Sequence, residues 1–359
     1  MGTMTTKRLQ DFTLQFHVTE SCMYQCSHCY IGIDRQPQSV LSTDDAFRVI
    51  DGFTDFISVL SSITGDTITP RIHFTGGDPL LRKDIFQLIE YAVSKKIKCG
   101  ILGNPDLLTK EICEQIKSLG VVAYQISLDG LRDVHDSFRK KSGSFDKSLE
   151  ALSLLHDAGV YRTYIMCNVS KSNLDQIIPL YRVVKSHKAY GFVIARVSCT
   201  GSAVSVDTDI FPFEYRRLFE QLSDEVGEIT RDLCKNELNT TKLVLKDPLW
   251  SLYAYENKLI VPTETVEGGC QAGISIMTIM PDGTCHACRR LNVPIGKFPD
   301  DSFLKMYASN NLMKSLRNFS NFDKCGNCEL VNNCRGCPAV VHSKFGDPFV
   351  ADPQCWKVC

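Results

Sequence analysis

Up to residue 198, short runs rich in β-branched and aromatic residues alternate with amphipathic stretches. The strand-like runs cover 12–18, 71–75, 98–102, 122–127, 162–169 and 192–197. Apolar residues at helical spacing fill the intervals 43–60, 83–94, 110–119, 145–158 and 173–185. A strand followed by a helix, repeated, builds parallel βα units. Six strands are too few for a closed TIM barrel. The pattern therefore predicts an α/β fold, an open partial (β/α)6 TIM-like barrel with its functional loops at the C-terminal strand ends. Ser144 is expected to cap the helix that starts at 145. A long charged helix is expected over 210–232 and a linker-like stretch over 236–246. From Cys270 the texture changes: nine of the 17 cysteines fall between 270 and 359, separated by turn-forming residues. Such a segment has little apolar core of its own and is expected to need metal to fold. The predicted organisation is a tail over 1–11, the partial barrel over 12–205, a helical bridging region over 206–262 and a small cysteine-rich domain over 263–359.

Composition narrows the class. A chain of 359 residues suits about two domains, and 43% hydrophobic content is ample for a packed core. A net charge of −1 implies no basic face, so no nucleic-acid partner is expected. No run of about 18 apolar residues exists, so no membrane span is expected either. Residues 1–10 show neither the apolar run nor the cleavage pattern of a secretory signal. The expected location is the cytoplasm, in an anaerobic or reducing environment. There, clustered Cys-x2-Cys pairs read as metal ligands rather than disulfides.

The first cluster follows the first strand: Cys22-Met23-Tyr24-Gln25-Cys26-Ser27-His28-Cys29-Tyr30. Three thiolates can hold three corners of a cubane iron–sulfur cluster and leave its fourth iron open for chemistry. A zinc site would want a fourth ligand, and His28, wedged between two cysteines, is poorly placed to be one. Thr75-Gly76-Gly77-Asp78-Pro79-Leu80 ends the second strand, where two glycines allow close approach to the backbone. Ser127-Leu128-Asp129-Gly130 ends the fourth, followed by His135-Asp136-Ser137-Phe138-Arg139. Asn104, Asn168 and Arg196 lie at the ends of the third, fifth and sixth strands.

This set resembles the radical S-adenosylmethionine (SAM) superfamily, whose signature is C-x3-C-x-aromatic-C. His28 stands where an aromatic is commonest, and Asp78 where the family's Gly-Gly-Glu-Pro motif has glutamate. The resemblance implies a [4Fe–4S] cluster on Cys22, Cys26 and Cys29. Its open iron would chelate SAM, and reductive cleavage of SAM would give a 5′-deoxyadenosyl radical. It also implies that Gly76, Gly77, Asp78, Asn104, Ser127, Asp129, Arg139, Asn168 and Arg196 cradle SAM, with Arg196 a candidate for its carboxylate. The fork of a guanidinium suits that task.

Further on, Cys270-x12-Gly283-x4-Cys288 precedes Cys325-x2-Cys328-x5-Cys334-x2-Cys337-x17-Cys355. Two Cys-x2-Cys pairs alone would satisfy a zinc ribbon. Seven cysteines in this order instead resemble the SPASM domain, which holds two auxiliary [4Fe–4S] clusters; the family's third spacing is x3 where this chain has x2. By resemblance one cluster uses Cys270, Cys288 and Cys337, and the other Cys325, Cys328, Cys334 and Cys355. Cys285 and Cys359 are each candidates for the fourth ligand of the first. The alternative is that this position stays open for a substrate thiolate. Cys99, Cys113, Cys167 and Cys234 read as small buried hydrophobes. Cys199, past the sixth strand, could face the site.

Radical SAM–SPASM enzymes mostly modify peptides, and others work on haem-type precursors. The leading expectation is a peptide maturase that forms a thioether crosslink in a Cys-containing ribosomal precursor peptide. Carbon–carbon crosslinking, haem-precursor modification and formylglycine formation are the alternatives. Formylglycine-forming relatives carry an aspartate base directly after the cysteine equivalent to Cys288. Here Arg289 and Arg290 follow, and a guanidinium cannot act as a base near neutral pH. Expected partners are the peptide or protein substrate, an electron donor such as flavodoxin or ferredoxin, and a separate leader-binding protein, since little chain precedes residue 12. A different class is an iron–sulfur electron carrier, and a third is a zinc protein. The SAM-cradle residues argue against the carrier, which would need none.

Overall fold

The first strand, β1 (Asp11–Thr19), sets the pattern of the whole sheet. Phe12, Leu14 and Phe16 are fully buried on one face, while Gln15 and His17 point to the other. The computed structural model describes residues 9–32, 40–226 and 241–357. β1 leads into α1 (Thr43–Thr64), then β2 (Thr69–Gly76) and α2 (Ile85–Ser94). The alternation continues through β3 (Lys98–Leu102), α3 (Lys110–Ser118), β4 (Ala123–Ser127), α4 (Arg132–Arg139) and α5 (Ser144–Asp157). It then runs through β5 (Thr163–Val169), α6 (Ile177–Ser186), β6 (Gly191–Arg196), α7 (Pro212–Val226), β7 (Lys242–Leu245) and α8 (Trp250–Glu256).

β1 to β7 pair in chain order, all parallel, so the sheet curls into an open half-barrel. Its convex face carries the helices and the main core. Its concave face encloses a lumen reached by the opposite side chains: Gln15, His17, His73, Gln125, Tyr164, Met166, Val193 and Ala195. The expected partial barrel is thus present, with one strand more than predicted. β7 lies inside the stretch read as a linker. It is four residues long and sits at the sheet edge, beside β6, so its periodic signal is short. The helix expected over 210–232 is α7, which starts at Pro212; residues beyond 226 lie outside the described residues.

The cysteine-rich segment is not an isolated small domain. β8 (Ile276–Ile279) pairs parallel with β1 and extends the same sheet, followed antiparallel by β9 (Thr284–Cys288) and β10 (Leu291–Lys297). α9 (Phe303–Ser309) and α10 (Asn311–Arg317) follow. Phe303 lies 6.1 Å from Phe53, and Tyr307 lies 5.4 Å from Phe56 and 5.7 Å from Phe12, centroid to centroid. These edge and tilted ring contacts join α9 to α1 and β1. The first half of the segment therefore shares the barrel's core. The second half, with the single turn α11 (Asp323–Gly326) and α12 (Pro338–Phe345), holds Cys325, Cys328, Cys334 and Cys355 mostly in loops.

One local expectation is corrected. Ser144 does not cap α5. The Asp136 carboxylate accepts the N–H of Gly143 (2.6 Å) and Phe145 (2.9 Å), and the Ser144 hydroxyl donates to the same carboxylate at 2.9 Å. A full negative charge at a helix N-terminus outcompetes a neutral hydroxyl. Among the described residues no helix is long and apolar enough to cross a membrane, and no cysteine is in a disulfide.

Candidate active site

At the C-terminal ends of the strands lies an open cleft. Cys22, Cys26 and Cys29 line it, facing Thr75, Gly76, Gly77, Asn104, Ser127, Arg139 and Asn168. Arg289 and Arg290 close its far side.

The cysteine loop is clamped from two directions. Gly77 N–H donates to the Thr19 carbonyl (2.9 Å) and Asp78 N–H to the Ser21 carbonyl (2.8 Å). On the other side, Ser27 N–H donates to the Phe138 carbonyl at the end of α4 (2.9 Å). The glycines are required by the first clamp. A Cβ on Gly76, whose φ is +142°, would stand 2.1 Å from the Thr19 oxygen, and one on Gly77 2.2 Å from the Ser21 oxygen. The pair thus lets the cysteine loop cross the end of β2, besides presenting backbone to the cleft. Gly77→Ala is expected to push the loop away and lower SAM cleavage at least about tenfold with loss of iron. Gly143→Ala, whose Cβ meets nothing within 4 Å but whose φ of +78° strains an alanine, is expected to lose some stability and keep its iron. Iron analysis and product chromatography on the two purified variants check this.

Two side-chain nitrogens reach the thiols. Asn104 Nδ2 donates to Cys22 Sγ at 3.3 Å, and Arg139 Nη1 to Cys26 Sγ at 3.6 Å. Burial pushes the Cys26 thiol up, against the pull of Arg139. Such N–H···S contacts favour bound thiolate and tune a cluster's potential. The Arg139 guanidinium is buried and lies 2.7 Å from Asp129. That carboxylate accepts Asn168 N–H at 2.9 Å. Burial alone would raise the Asp129 carboxyl, but Arg139, His28 and His135 outweigh it and hold it at about 2. Burial also lowers His28 to about 4, so its 3.4 Å approach to Asp129 is a polar contact of a neutral ring.

Three residues expected in the SAM cradle stand elsewhere. Asp78 does not line the cleft. Its Oδ1 accepts Leu80 N–H (3.2 Å), capping the turn after β2, and burial raises its carboxyl to about 6. Asp129 sits behind Arg139 and orients it. Arg196 does not line the cleft either. Its Nε and Nη2 meet Asp247 at 2.7 and 3.2 Å, and its Nη1 and Nη2 meet Asp352 at 2.6 and 2.8 Å. Gln354 accepts from Nη1 at 2.6 Å. With two carboxylates already paired, the guanidinium has no fork left for a ligand. Arg139 does line the cleft, beside the cysteine loop, and its Nε is buried without a hydrogen-bond partner.

The remaining cysteines fall into two groups. Burial raises the Cys270 thiol to about 12, helped by the nearby thiols of Cys337 and Cys288. Arg290 Nη2 reaches Cys337 Sγ at 3.8 Å. Cys325, Cys328, Cys334 and Cys355 line a second cavity. Cys285 joins neither group. Three positions before Cys288 on β9, it points to the opposite face, where its thiol is fully buried and donates to the Gly283 carbonyl (3.6 Å). This separates it from the Cys270–Cys288–Cys337 set. Cys359 and Cys234 lie outside the described residues. Cys199 contacts the Thr208 hydroxyl at 2.9 Å and does not line the cleft.

Tyr30 directly follows Cys29. It is tucked between the two thiol groups, near enough to both Cys29 and Cys288 for each to raise its phenol; burial raises it most, to about 12. Its hydroxyl lies 3.4 Å from His17 Nε2, and the Arg289 guanidinium lies 5.7 Å from its ring. The signal in the sequence was its position directly after Cys29. Among the described residues no three acidic, His or Cys side chains close around a single-ion site. The thiols instead surround a cleft, with amide and guanidinium donors aimed at their sulfurs. That donor set fits a three-thiolate cluster with room beside it for SAM.

A sequence model of the radical SAM superfamily matches residues 16–184, and one of the SPASM iron–sulfur cluster-binding domain matches 270–338. The chain is a radical SAM enzyme with a SPASM domain. The AdoMet-dependent heme synthase of Nitratidesulfovibrio vulgaris is 28% identical to it over 351 residues, covering 95% of this chain and 91% of that protein. The mycofactocin maturase MftC of Mycolicibacterium smegmatis is 24% identical over 355 residues, covering 95% and 82%. The structure of Streptococcus suis SuiB bound to SAM shares the fold with a TM-score of 0.73 at 20% identity, covering 97% of this chain and 78% of SuiB; SuiB is also known bound to its precursor peptide SuiA. In this radical SAM–SPASM enzyme the two matched domains meet at one cleft, with Tyr30 between them.

Proposed function

We propose that this enzyme is a peptide maturase that crosslinks a cysteine sulfur to a carbon of a precursor peptide. The observation that carries the reading is the position of Tyr30, between the Cys22–Cys26–Cys29 mouth and the Cys270–Cys288–Cys337 set. When bound, the cluster and SAM supply a 5′-deoxyadenosyl radical able to take hydrogen from an unactivated carbon, and the auxiliary clusters supply an electron acceptor. Asn104 and Arg139 hold the thiolates of Cys22 and Cys26, and Arg139 and the backbone at Gly76 and Gly77 offer donors and acceptors to SAM. The half-barrel keeps water from the reacting carbon. In the net reaction one C–H and one S–H bond are replaced by a C–S bond. One hydrogen leaves in 5′-deoxyadenosine, the other as a proton, and one electron remains to be accepted. The electron donor would be a flavodoxin or ferredoxin, and a separate protein would capture the leader.

A second reading is supported by the heme synthase relative, which aligns over nearly the whole of both chains: oxidation of a tetrapyrrole side chain at the same cleft. Anaerobic reaction with a Cys-containing precursor peptide separates the two. The maturase reading expects a loss of about 2 Da per crosslink, the mass of the two hydrogens removed. Unchanged peptide mass alongside consumption of SAM and conversion of a propionate-bearing tetrapyrrole would favour the second.

A further inference from the structure

The two groups of auxiliary thiols meet at one dipeptide. Arg335 and Gly336 separate Cys334, on the second cavity, from Cys337, of the Cys270–Cys288–Cys337 set. Both stand in the left-handed region, with φ of +71° and +64°. That conformation is costly for an arginine, so its surroundings must hold it there. They do so through the side chain, which turns back onto the first set. Its Nη2 donates to the carbonyls of Gly268 (2.9 Å) and Cys270 (3.1 Å), and its Nη1 to the Val331 carbonyl (2.6 Å). The guanidinium lies 4.2 Å from the centroid of the Phe319 ring. The same residue lines the cavity of Cys325, Cys328, Cys334 and Cys355. One side chain therefore bonds to the backbone of a cysteine of the first set and forms part of the wall around the second.

The charge of that side chain is not answered by an acid. Arg335 is 4% exposed, its hydrogen bonds end on neutral carbonyls, and among the described residues no carboxylate pairs with it. A buried cation without an anion is costly. The cations nearby are placed differently. Lys357, on the same wall, pairs with Glu329. Lys324, also on that wall, is half-buried and donates to the Lys357 carbonyl at 2.7 Å, so solvent screens it. Asp352 is the acid on this wall, and Arg196 already holds it at 2.6 Å. That leaves the cysteines, as thiolates, to supply the counter-charge. A fixed cation beside an iron–sulfur cluster favours its reduced, more negative form and so raises its potential.

We propose that Arg335 is a positioning residue shared by the two auxiliary sites: its charge raises the reduction potential of both clusters, while its fork ties Cys270 to the Cys334–Cys337 turn. The proposal rests on the reading that each thiol group holds a cluster. Anaerobic redox titration of the iron–sulfur-loaded enzyme, followed by electron paramagnetic resonance, compares wild type with Arg335→Gln and Arg335→Lys. Arg335→Gln is expected to disfavour reduction of both auxiliary clusters at least tenfold, a fall of about 59 mV for one electron. The Cys22–Cys26–Cys29 cluster, held by other residues, should keep its potential. Arg335→Lys keeps the charge and should recover most of the loss. A second pair leaves the arginine and its carbonyl bonds in place: Phe319→Glu sets a carboxylate against the guanidinium, and Phe319→Gln is its neutral twin. The glutamate variant should lower the same two potentials relative to the glutamine variant. Where Arg335→Gln does not load its clusters, the Phe319 pair decides in its place. Unmoved auxiliary potentials, a shift at one auxiliary cluster alone, an equal shift at the Cys22–Cys26–Cys29 cluster, or a lysine variant no better than glutamine overturns the proposal. Iron and sulfide are measured first. Wild-type iron of about twelve per chain with unmoved potentials ends this inference and leaves the cluster reading standing, whereas about eight ends both.

Discussion

Replacing Arg196 by methionine is expected to cost about 3–5 kcal/mol of stability, because it leaves two buried carboxylates without their cation. Arg196, Asp247 and Asp352 are each almost completely buried. Asp352 also accepts the N–H of Cys337 at 2.9 Å, so the ion pair fastens the auxiliary cysteines to the end of β6. Burial would raise the Asp352 carboxyl, but Arg196 outweighs it and holds it down. Arg196→Lys should rescue little, since one ammonium cannot serve two carboxylates with forked geometry. Arg182 pairs with Glu225 on the surface, and Arg182→Met should cost less than about 1 kcal/mol. Urea unfolding under anaerobic conditions reads all three. Trp356 packs 6.0 Å from Phe219 near this junction, so tryptophan fluorescence is a suitable probe.

The second large effect is on iron. With three cubane clusters, the intact enzyme would carry about twelve irons. Cys26→Ala removes a thiol that Arg139 already addresses and leaves the mouth with two. Iron is expected to fall to about eight per chain, and SAM cleavage to fall below detection. The two auxiliary groups use other residues and should keep their spectra. Cys285→Ala is the contrasting variant. Its thiol faces the core and bonds to the Gly283 carbonyl, so iron should stay at about twelve. Iron and sulfide analysis with electron paramagnetic resonance of the reduced protein checks both. Loss of iron in Cys285→Ala would return that residue to the auxiliary site.

The first six strands were legible because each reads apolar on one face and mixed on the other, as Leu14, Phe16 and Gln15, His17 do on β1. β7 was not legible: Lys242–Leu245 is a short edge strand whose assignment depends on pairing with β6. The thiol groups followed from spacing, but their faces did not. Cys285 and Cys288 differ by an odd number of positions, which matters only once β9 is known to be a strand. Arg196 was misplaced for a related reason. Its strand-end position suggested the cleft, and only the fold brings Asp247 and Asp352, distant in sequence, around its guanidinium. The glycine pair at 76–77 was found by its motif, and the close approach of the Thr19 and Ser21 carbonyls supplies a reason the motif alone lacked.

The central claim is that the Cys22–Cys26–Cys29 mouth supports reductive cleavage of SAM. Its most direct test is anaerobic incubation of the iron–sulfur-loaded wild-type enzyme with SAM and dithionite, with products separated by chromatography. The account predicts 5′-deoxyadenosine and methionine in equal amounts. SAM left intact by a protein carrying its full complement of iron and sulfide would contradict it.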